Sequence, residues 1–314
     1  MLTRFVKREW YSVFLAPFLV LTLAACSEQS PSQVTVGPES AQAVSPPAAE
    51  ATLGYRRINT PNDEDPLDAH IYELDNGLRV YLTENHEEPR FYAEIAVRAG
   101  SKHDPADATG LAHYLEHLLF KGNQNLGTLD YQAERPHLDR IVELYEEHFQ
   151  ETDTARRAEI YAEINSEAQL ASEYAVPNEI DKLYNGMGGT ALNAHTWYEE
   201  TVYKVGLPSN RLEQWAEIES DRFVNPVFRL FHTELETVYE EKNRTLDNRD
   251  RIIGTAVDEL MWKEHPYGQQ PTIGSVDHLK NPSLVYIRNY FDTYYVPNNM
   301  GIFMSGDIDI DATI

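Results

Sequence analysis

Between Gly110 and Gly122 the chain reads Gly-Leu-Ala-His-Tyr-Leu-Glu-His-Leu-Leu-Phe-Lys-Gly. If that stretch is helical, offsets of three, four and seven residues bring His113, Glu116, His117 and Phe120 to one face. Leu111, Leu115, Leu118 and Leu119 take the opposite face. The leucines can anchor the helix in a core while two imidazoles and a carboxylate are aimed at one point. Two histidines four residues apart can grip one metal ion, and a glutamate beside them can hold a water there and take its proton. The chemistry this spacing predicts is metal-assisted hydrolysis at a zinc site. The order His-x-x-Glu-His inverts the commoner zincin spacing.

A hydrolytic zinc site needs three protein ligands and an open position, so a third donor is expected on a second rigid element. The stretch Phe231-His-Thr-Glu-Leu-Glu-Thr-Val-Tyr-Glu-Glu-Lys offers it. Glu234, Val238 and Glu241 share one helical face, because a seven-residue offset nearly closes two turns, whereas Glu240 lies about a third of a turn away. Glu241 is therefore read as the third ligand of one zinc ion. Glu234 is read as a carboxylate that orients a ligand histidine or tunes the site. A glutamate-rich helix taken alone is ordinarily just solvated; the first motif is what gives this one a role.

From about Tyr72 to Asp307 the sequence resembles the pitrilysin, or insulinase and mitochondrial-processing-peptidase, family of zinc metallopeptidases. The resemblance is carried by Ala96-Val-Arg-Ala-Gly-Ser-Lys-His-Asp-Pro-Ala-Asp-Ala-Thr-Gly-Leu-Ala-His-Tyr-Leu-Glu-His, by Gly188-Gly-Thr-Ala-Leu-Asn-Ala-His-Thr and by Val238-Tyr-Glu-Glu. It implies His113, His117 and Glu241 as zinc ligands and Glu116 as general base, in agreement with the reading from spacing. It also implies an exposed edge strand around Asn193 and Ala194, onto which a peptide substrate adds as a further strand. Main-chain hydrogen bonds of that kind hold an extended peptide without demanding one sequence. His195 is read as a side chain of that strand, since three ligands are already supplied.

The elements that must position these groups begin well into the chain. Residues 1–25 combine a basic start (Arg4, Lys7, Arg8) with an apolar run from Val13 to Ala25 that closes on Leu23-Ala24-Ala25-Cys26. The run is too short for a comfortable membrane span and reads as a secretory signal. Small residues before a cysteine resemble a bacterial lipoprotein signal, which makes Cys26 the lipidation site and mature amino terminus. Ser27 resembles the residue at that place in lipoproteins sent to an outer membrane, so the expected location is the cell envelope, lipid-anchored and facing the periplasm. Cys26 is the only cysteine, so no internal disulfide is available and stability must come from core and metal. Residues 26–51, rich in Ser, Pro, Ala, Gln and Glu, read as a flexible tether. Residues 1–25 carry three basic and one acidic side chains, so their removal takes the net charge from −25 to −27. That balance argues against nucleic acid as a partner and against electrostatic adhesion to anionic lipid.

The metallopeptidase domain is assigned to residues 52–314. His70 to Leu74 and Leu78 to Thr83 flank Asp75-Asn76-Gly77, a hairpin signal. Phe91, Ala93, Ile95, Val97 and Ala99 alternate with polar neighbours as a half-buried strand does. Asp107 or Thr109 is expected to cap the motif helix and Gly122 to end it. Residues 130–185 carry helical periodicity and read as an inserted helical hairpin, with Pro136 and Pro177 marking helix starts or breaks. This insertion accounts for the 123 residues between His117 and Glu241, a longer gap than the family usually shows. Thr190 to Ala194 and Thr201 to Val205 read as strands. Pro208 to Phe223, Phe228 to Leu246, Ala256 to Trp262 and Pro282 to Tyr294 read as helices, and Met300 to Ser305 as a last strand. The expected fold is α+β: a mixed β-sheet with helices packed on one side, the two site-bearing helices at its edge, and a helical insertion.

The expected activity is zinc-dependent hydrolysis of internal peptide bonds in small or unfolded polypeptides. In the family two such halves close around the peptide, the second supplying an Arg and a Tyr. The sequence as given therefore reads as a domain truncated at its C-terminus, or as one half that pairs with another chain. The rival is a binding or scaffold subunit of a two-component complex that kept the fold without catalysis. Its mark would be a broken ligand set, and here the set is intact.

Overall fold

A computed structural model describes residues 54–60 and 64–314 of the chain. The signal at 1–25, Cys26 and the tether at 26–51 lie outside the described residues. Sequence alternation translates directly into a one-faced sheet built from β1 (Tyr55–Arg57), β2 (His70–Leu74), β3 (Arg79–Glu84), β4 (Arg90–Val97), β5 (Thr190–Thr196), β6 (Thr201–Pro208) and β7 (Met300–Gly306). Their spatial order is β1-β2-β3-β7-β4-β6-β5. Only the β3–β7 pair among these is parallel, so the sheet is mixed as expected. The Asn76-Gly77 turn forms the expected hairpin, with Gly77 at φ 86° and Tyr72 opposite Val80.

Every second residue of the central strands points into one core: Val80 and Leu82, Phe91, Ala93, Ile95 and Val97, and Ile302 and Met304 are all buried. The intervening residues form a more open face, where Tyr81 stacks on Phe303 at 4.4 Å and Tyr92 is exposed. A side chain that points to one face at position i returns to it at i+2, so this pattern fixes which side receives the helices.

The helices are α1 (Leu111–Leu118), α2 (Tyr131–Gln150), α3 (Thr154–Ser172), α4 (Glu179–Gly186), α5 (Leu212–Val224), α6 (Phe231–Leu246), α7 (Arg249–Met261), α8 (Pro266–Gln269), α9 (Val276–Leu279), α10 (Leu284–Tyr294) and α11 (Ile310–Thr313). Side-chain caps start several of them: Asp130 accepts from the amides of Gln132 and Ala133, Asp153 from Arg156, and Asn248 from Asp250 and Arg251. Such caps satisfy amides that have no partner within the helix. α1 packs against β5, β6, α6 and α10. Its Leu115, Leu118 and Leu119 are fully buried, each contributing roughly 1.5–3 kcal/mol of apolar burial. That burial makes α1 a fixed mount at the β6–β5 end of the sheet.

Four local expectations are corrected. Neither Asp107 nor Thr109 caps α1. Asp104 does so from six residues upstream, its two carboxylate oxygens accepting from the amides of Gly110 and Ala112 at 2.8 and 2.9 Å. The chain reaches the helix through Gly110 at φ 88°, where an added Cβ would lie 2.8 Å from the Gly274 backbone. The Thr109 hydroxyl is instead paired with His278 Nδ1 and accepts from the Ser275 amide, and the Asp107 carboxylate accepts from the Tyr286 hydroxyl. At the other end α1 stops at Leu118, so Phe120 lies just past the helix and Gly122, at φ 106°, belongs to the following loop. Pro136 does not break α2, which runs through it from Tyr131 to Gln150; with Pro136 in the second turn, the cost is one missing amide donor near the start. The helix predicted from Phe228 starts at Phe231, after Leu230 in the left-handed region at φ 53°.

That last junction is held by a buried charge. The Arg229 guanidinium donates to both oxygens of Glu134 on α2 and to the carbonyls of Lys121, Asn123 and Leu126. These five bonds use every N–H the guanidinium has. Both Arg229 and Glu134 are fully buried. The pair thus ties together the loop leaving α1, the start of α2 and the entry to α6.

A candidate metal centre between two helices

α1 and α6 meet at their site-bearing faces. At the start of α6 the Tyr114 hydroxyl donates to the Phe231 carbonyl, and Val238 in its middle is fully buried. These contacts set both the distance and the rotation of α6, so Glu234 and Glu241 turn toward α1 together. The Nε2 atoms of His113 and His117 lie 3.2 Å apart, and Glu241 Oε2 lies 3.7 Å from each. Among the described residues this is the group of histidines and carboxylates that could hold a metal ion. A point equidistant from the three atoms lies about 2.1 Å from each, the length of zinc–imidazole and zinc–carboxylate bonds. Two neutral nitrogens and one carboxylate oxygen are also a donor set that zinc accepts readily. The residues fit the ion.

The two histidines are held differently. His117 Nδ1 is 2.7 Å from Glu234 Oε1, and Glu234 Oε2 is 2.5 Å from Lys121 Nζ. Burial pushes the Glu234 carboxyl up, but its bonds with His117 and Lys121 outweigh that and hold it below the ordinary range. Burial likewise pushes His117 down, and the Glu234 carboxylate more than compensates, leaving it raised. His113 Nδ1, in contrast, is buried with no hydrogen-bond partner. Burial first, and the His117 imidazole second, push His113 down to about 3. It is therefore neutral over the physiological range, the form that can ligate a metal.

This has a consequence for the metal-free protein. A histidine whose pKa falls from about 6.5 unfolded to about 3 folded contributes stability that is complete above pH 6.5 and is lost as pH falls from there toward 3. Chelator-treated wild type is expected to lose more thermal stability between pH 7 and pH 4 than chelator-treated His113→Gln. Melting curves across that window check it, and parallel curves would contradict it.

Glu116 sits between the two histidines in sequence and is buried on the same helix. Its Oε2 accepts a 2.6 Å hydrogen bond from Thr196 Oγ1 on β5. Burial raises its carboxyl above the ordinary range, and the Thr196 and His117 contacts only partly offset this. A buried carboxylate with a raised pKa beside a metal site is suited to take and return a proton.

β5 lies at the free edge of the sheet, paired on one side only, with β6. Asn193 is exposed on it and Ala194 half-buried. Ala194 stands opposite Tyr203 and Thr196 opposite Thr201, on the core face that also holds α1. His195, opposite Val202, faces the other way and lies 3.5 Å from both Glu200 and Lys204. An open cleft of about 1200 Å³ runs from the metal-binding cluster along β5 to α7, lined by Asn193, Ala194, Trp197 and Arg251 among others.

The structure thus brings His113, Glu116, His117, Glu234 and Glu241 into one cluster, with Asn193 and Ala194 on the adjoining strand. Lys121, Thr196, Asp104 and Arg229 are supporting groups that sequence reasoning missed. Thr196 closes the quoted 188–196 stretch and Lys121 lies four residues past His117, so both had a signal in proximity to a motif. Asp104 lies inside the quoted 96–117 stretch, though nothing there marks it as the cap of α1; Arg229 had no signal, because Glu134 and the carbonyls it bonds are brought to it only by folding.

A family model described as insulinase (peptidase family M16) matches residues 79–135 and 168–273. The skipped segment 136–167 falls within α2 and α3. A probable zinc protease, PqqL, of Haemophilus influenzae is 26% identical over 264 residues, which are 81% of this chain and 23% of that protein. An uncharacterized zinc protease of Rickettsia felis is 22% identical over 247 residues, 78% of this chain and 48% of its own. Among solved structures, the first half of the periplasmic protease PqqL from Escherichia coli aligns with a TM-score of 0.57 at 22% identity, over 81% of this chain and 45% of that one. Pitrilysin aligns with a TM-score of 0.56 at 19% identity, over 82% of this chain and 23% of that one. The likeness to these structures is one of fold, and the chain spans between 23% and 48% of the length of these two curated relatives.

Proposed function

Because this chain belongs to the insulinase family of peptidases, family M16, we propose that it is the zinc-bearing half of an endopeptidase. In this reading His113, His117 and Glu241 hold one zinc ion and Glu116 is the general base. The observation that carries it is the closeness of Glu241 Oε2 to both imidazoles, 3.7 Å from each, although 123 residues separate Glu241 from His117 in the chain.

The chemistry a bound zinc supplies is polarisation of the scissile carbonyl and acidification of a water toward a pKa of about 7. Glu116 takes the proton from that water and passes it to the departing amine. Thr196 keeps the Glu116 carboxylate pointed into the cleft, and Glu234 holds His117 by its Nδ1–H. β5 receives the peptide along its free edge, with Asn193 and Ala194 contacting the substrate backbone. Strand addition at a free edge takes an extended chain, which makes small or unfolded polypeptides the substrates in this reading.

The open cleft and the lengths of the relatives support a second, similar half that completes the chamber, either later in the same protein or on another chain. For the remaining organisation we keep a signal at 1–25, lipidation at Cys26, a tether at 26–51 and a domain at 52–314 with a helical insertion at 130–185. The gap in the family match at 136–167 supports the insertion. An envelope location agrees with the periplasmic relative, and lipid anchoring rests on the sequence around Cys26.

Metal analysis of the purified chain is expected to give one zinc per chain. Glu241→Ala is expected to lose the ion, while Glu240→Ala, one residue away on an exposed position of α6, keeps it. A wild-type chain without zinc, or equal zinc in both variants, would remove the basis for this function.

A further inference from the structure

The two imidazoles of the cluster are supported unequally, and the difference points to a residue that the proposed chemistry does not include. His117 has a carboxylate on its Nδ1, whereas His113 Nδ1 is buried without a partner. The carboxylate in turn has a cation on its second oxygen, Lys121 Nζ at 2.5 Å. Lys121 lies just past the end of α1, its amide bonded to the Leu118 carbonyl and its own carbonyl bonded to the buried Arg229 at 2.9 Å. Both its backbone and its charge are therefore fixed. Its side chain is largely withdrawn from solvent, as is that of Glu234. A lysine in that setting needs a charged partner, and Glu234 is the carboxylate within ion-pair distance.

We propose that Lys121 is a positioning residue for the metal-binding pair: it braces Glu234 so that this carboxylate accepts the Nδ1–H of His117 and leaves Nε2 of that ring directed at the ion. The inference rests on the reading of the cluster as a metal centre, but its geometry can be read without any metal. A carboxylate with one oxygen tied to an ammonium is held against rotation away from the imidazole. The imidazole then has one tautomer available when neutral, with its ligating nitrogen unprotonated. His113 lacks this support and depends on packing alone, so removal of Lys121 leaves the site without an oriented histidine.

The test uses the full chain and three proteins: wild type, Lys121→Met, which keeps the aliphatic stem, and Lys121→Arg, which keeps the charge. Ring nitrogen NMR of the metal-free proteins, at a pH where His117 is neutral, is expected to show the Nδ1–H tautomer in wild type and Lys121→Arg and a mixture in Lys121→Met. Zinc affinity by chelator competition is expected to fall roughly 10- to 100-fold in Lys121→Met and to be largely retained in Lys121→Arg. A Lys121→Met protein with wild-type tautomer and wild-type zinc affinity would overturn the role. If Lys121→Met does not fold, the wild type alone still decides: His117 in the Nε2–H form contradicts the proposal and the Nδ1–H form supports it. A wild type that binds no zinc defeats the peptidase reading, while the tautomer measurement still judges Lys121.

Discussion

Replacing Glu116 by Gln is expected to leave zinc bound at the wild-type level and to lower the rate of peptide hydrolysis by roughly 10²- to 10⁴-fold, the contribution of a positioned general base. The substitution is close to isosteric, and the amide oxygen can still accept the Thr196 hydroxyl that now donates to Glu116 at 2.6 Å. Packing on α1 is therefore preserved while the ability to take a proton is lost. Glu116 is not one of the three atoms that converge on the ion position, so the metal does not depend on it. Zinc content and turnover of an internally quenched peptide, measured on the same preparation and with any completing half supplied equally to both proteins, separate the two effects. Undiminished turnover in the zinc-loaded variant would assign the proton transfer to another group.

The second large effect is on stability. Arg229→Met is expected to cost about 3–5 kcal/mol, the penalty for leaving one member of a buried ion pair without its partner. Glu134 would keep a fully buried carboxylate with no cation, and the carbonyls of Lys121, Asn123 and Leu126 would lose their shared donor. For a domain of this size that corresponds to a fall in Tm on the order of 10 °C. The double variant Glu134→Leu with Arg229→Met is expected to recover part of the loss, because the charge is removed instead of stranded. The same guanidinium fixes the Lys121 carbonyl and the entry to α6, so the single variant should also bind zinc more weakly. Urea unfolding of the single and double variants measures both the cost and the coupling. An Arg229→Met protein as stable as wild type would show that the junction is held by the surrounding loops alone.

The two variants act at different levels of the molecule. Glu116 works on the reacting atoms, and its loss leaves the scaffold intact. Arg229 does not line the cleft; it is buried behind Lys121 and works by keeping α1, α2 and α6 in register.

The composition of the candidate site was legible in the sequence because helical period is a local property. His113, Glu116 and His117 are brought together by the 3.6-residue turn whatever the rest of the chain does, and so are Glu234, Val238 and Glu241. The hairpin at Asn76-Gly77 and the alternation of β4 were legible for the same reason, since turn chemistry and strand period act over a few residues. Where the sequence reading failed, the deciding partner was distant in the chain. Asp104 replaced the adjacent candidates as cap of α1, because Thr109 is engaged by His278 and Ser275 and Asp107 by Tyr286. Pro136 reads locally as a helix start or break, yet α2 begins five residues before it and continues through it, since the packing of α2 against α3 and α10 and its Asp130 cap outweigh one absent donor. Periodicity also cannot say which way a helix faces its neighbour. The meeting of Glu241 with the two histidines and the run from Lys121 through Glu234 to His117 depend on the spacing and rotation of α6 against α1, and the choice of Thr196 for Glu116 on the packing of α1 against β5. Those are set by Val238, by Tyr114 on the Phe231 carbonyl and by the buried Arg229, long-range contacts that no local pattern encodes.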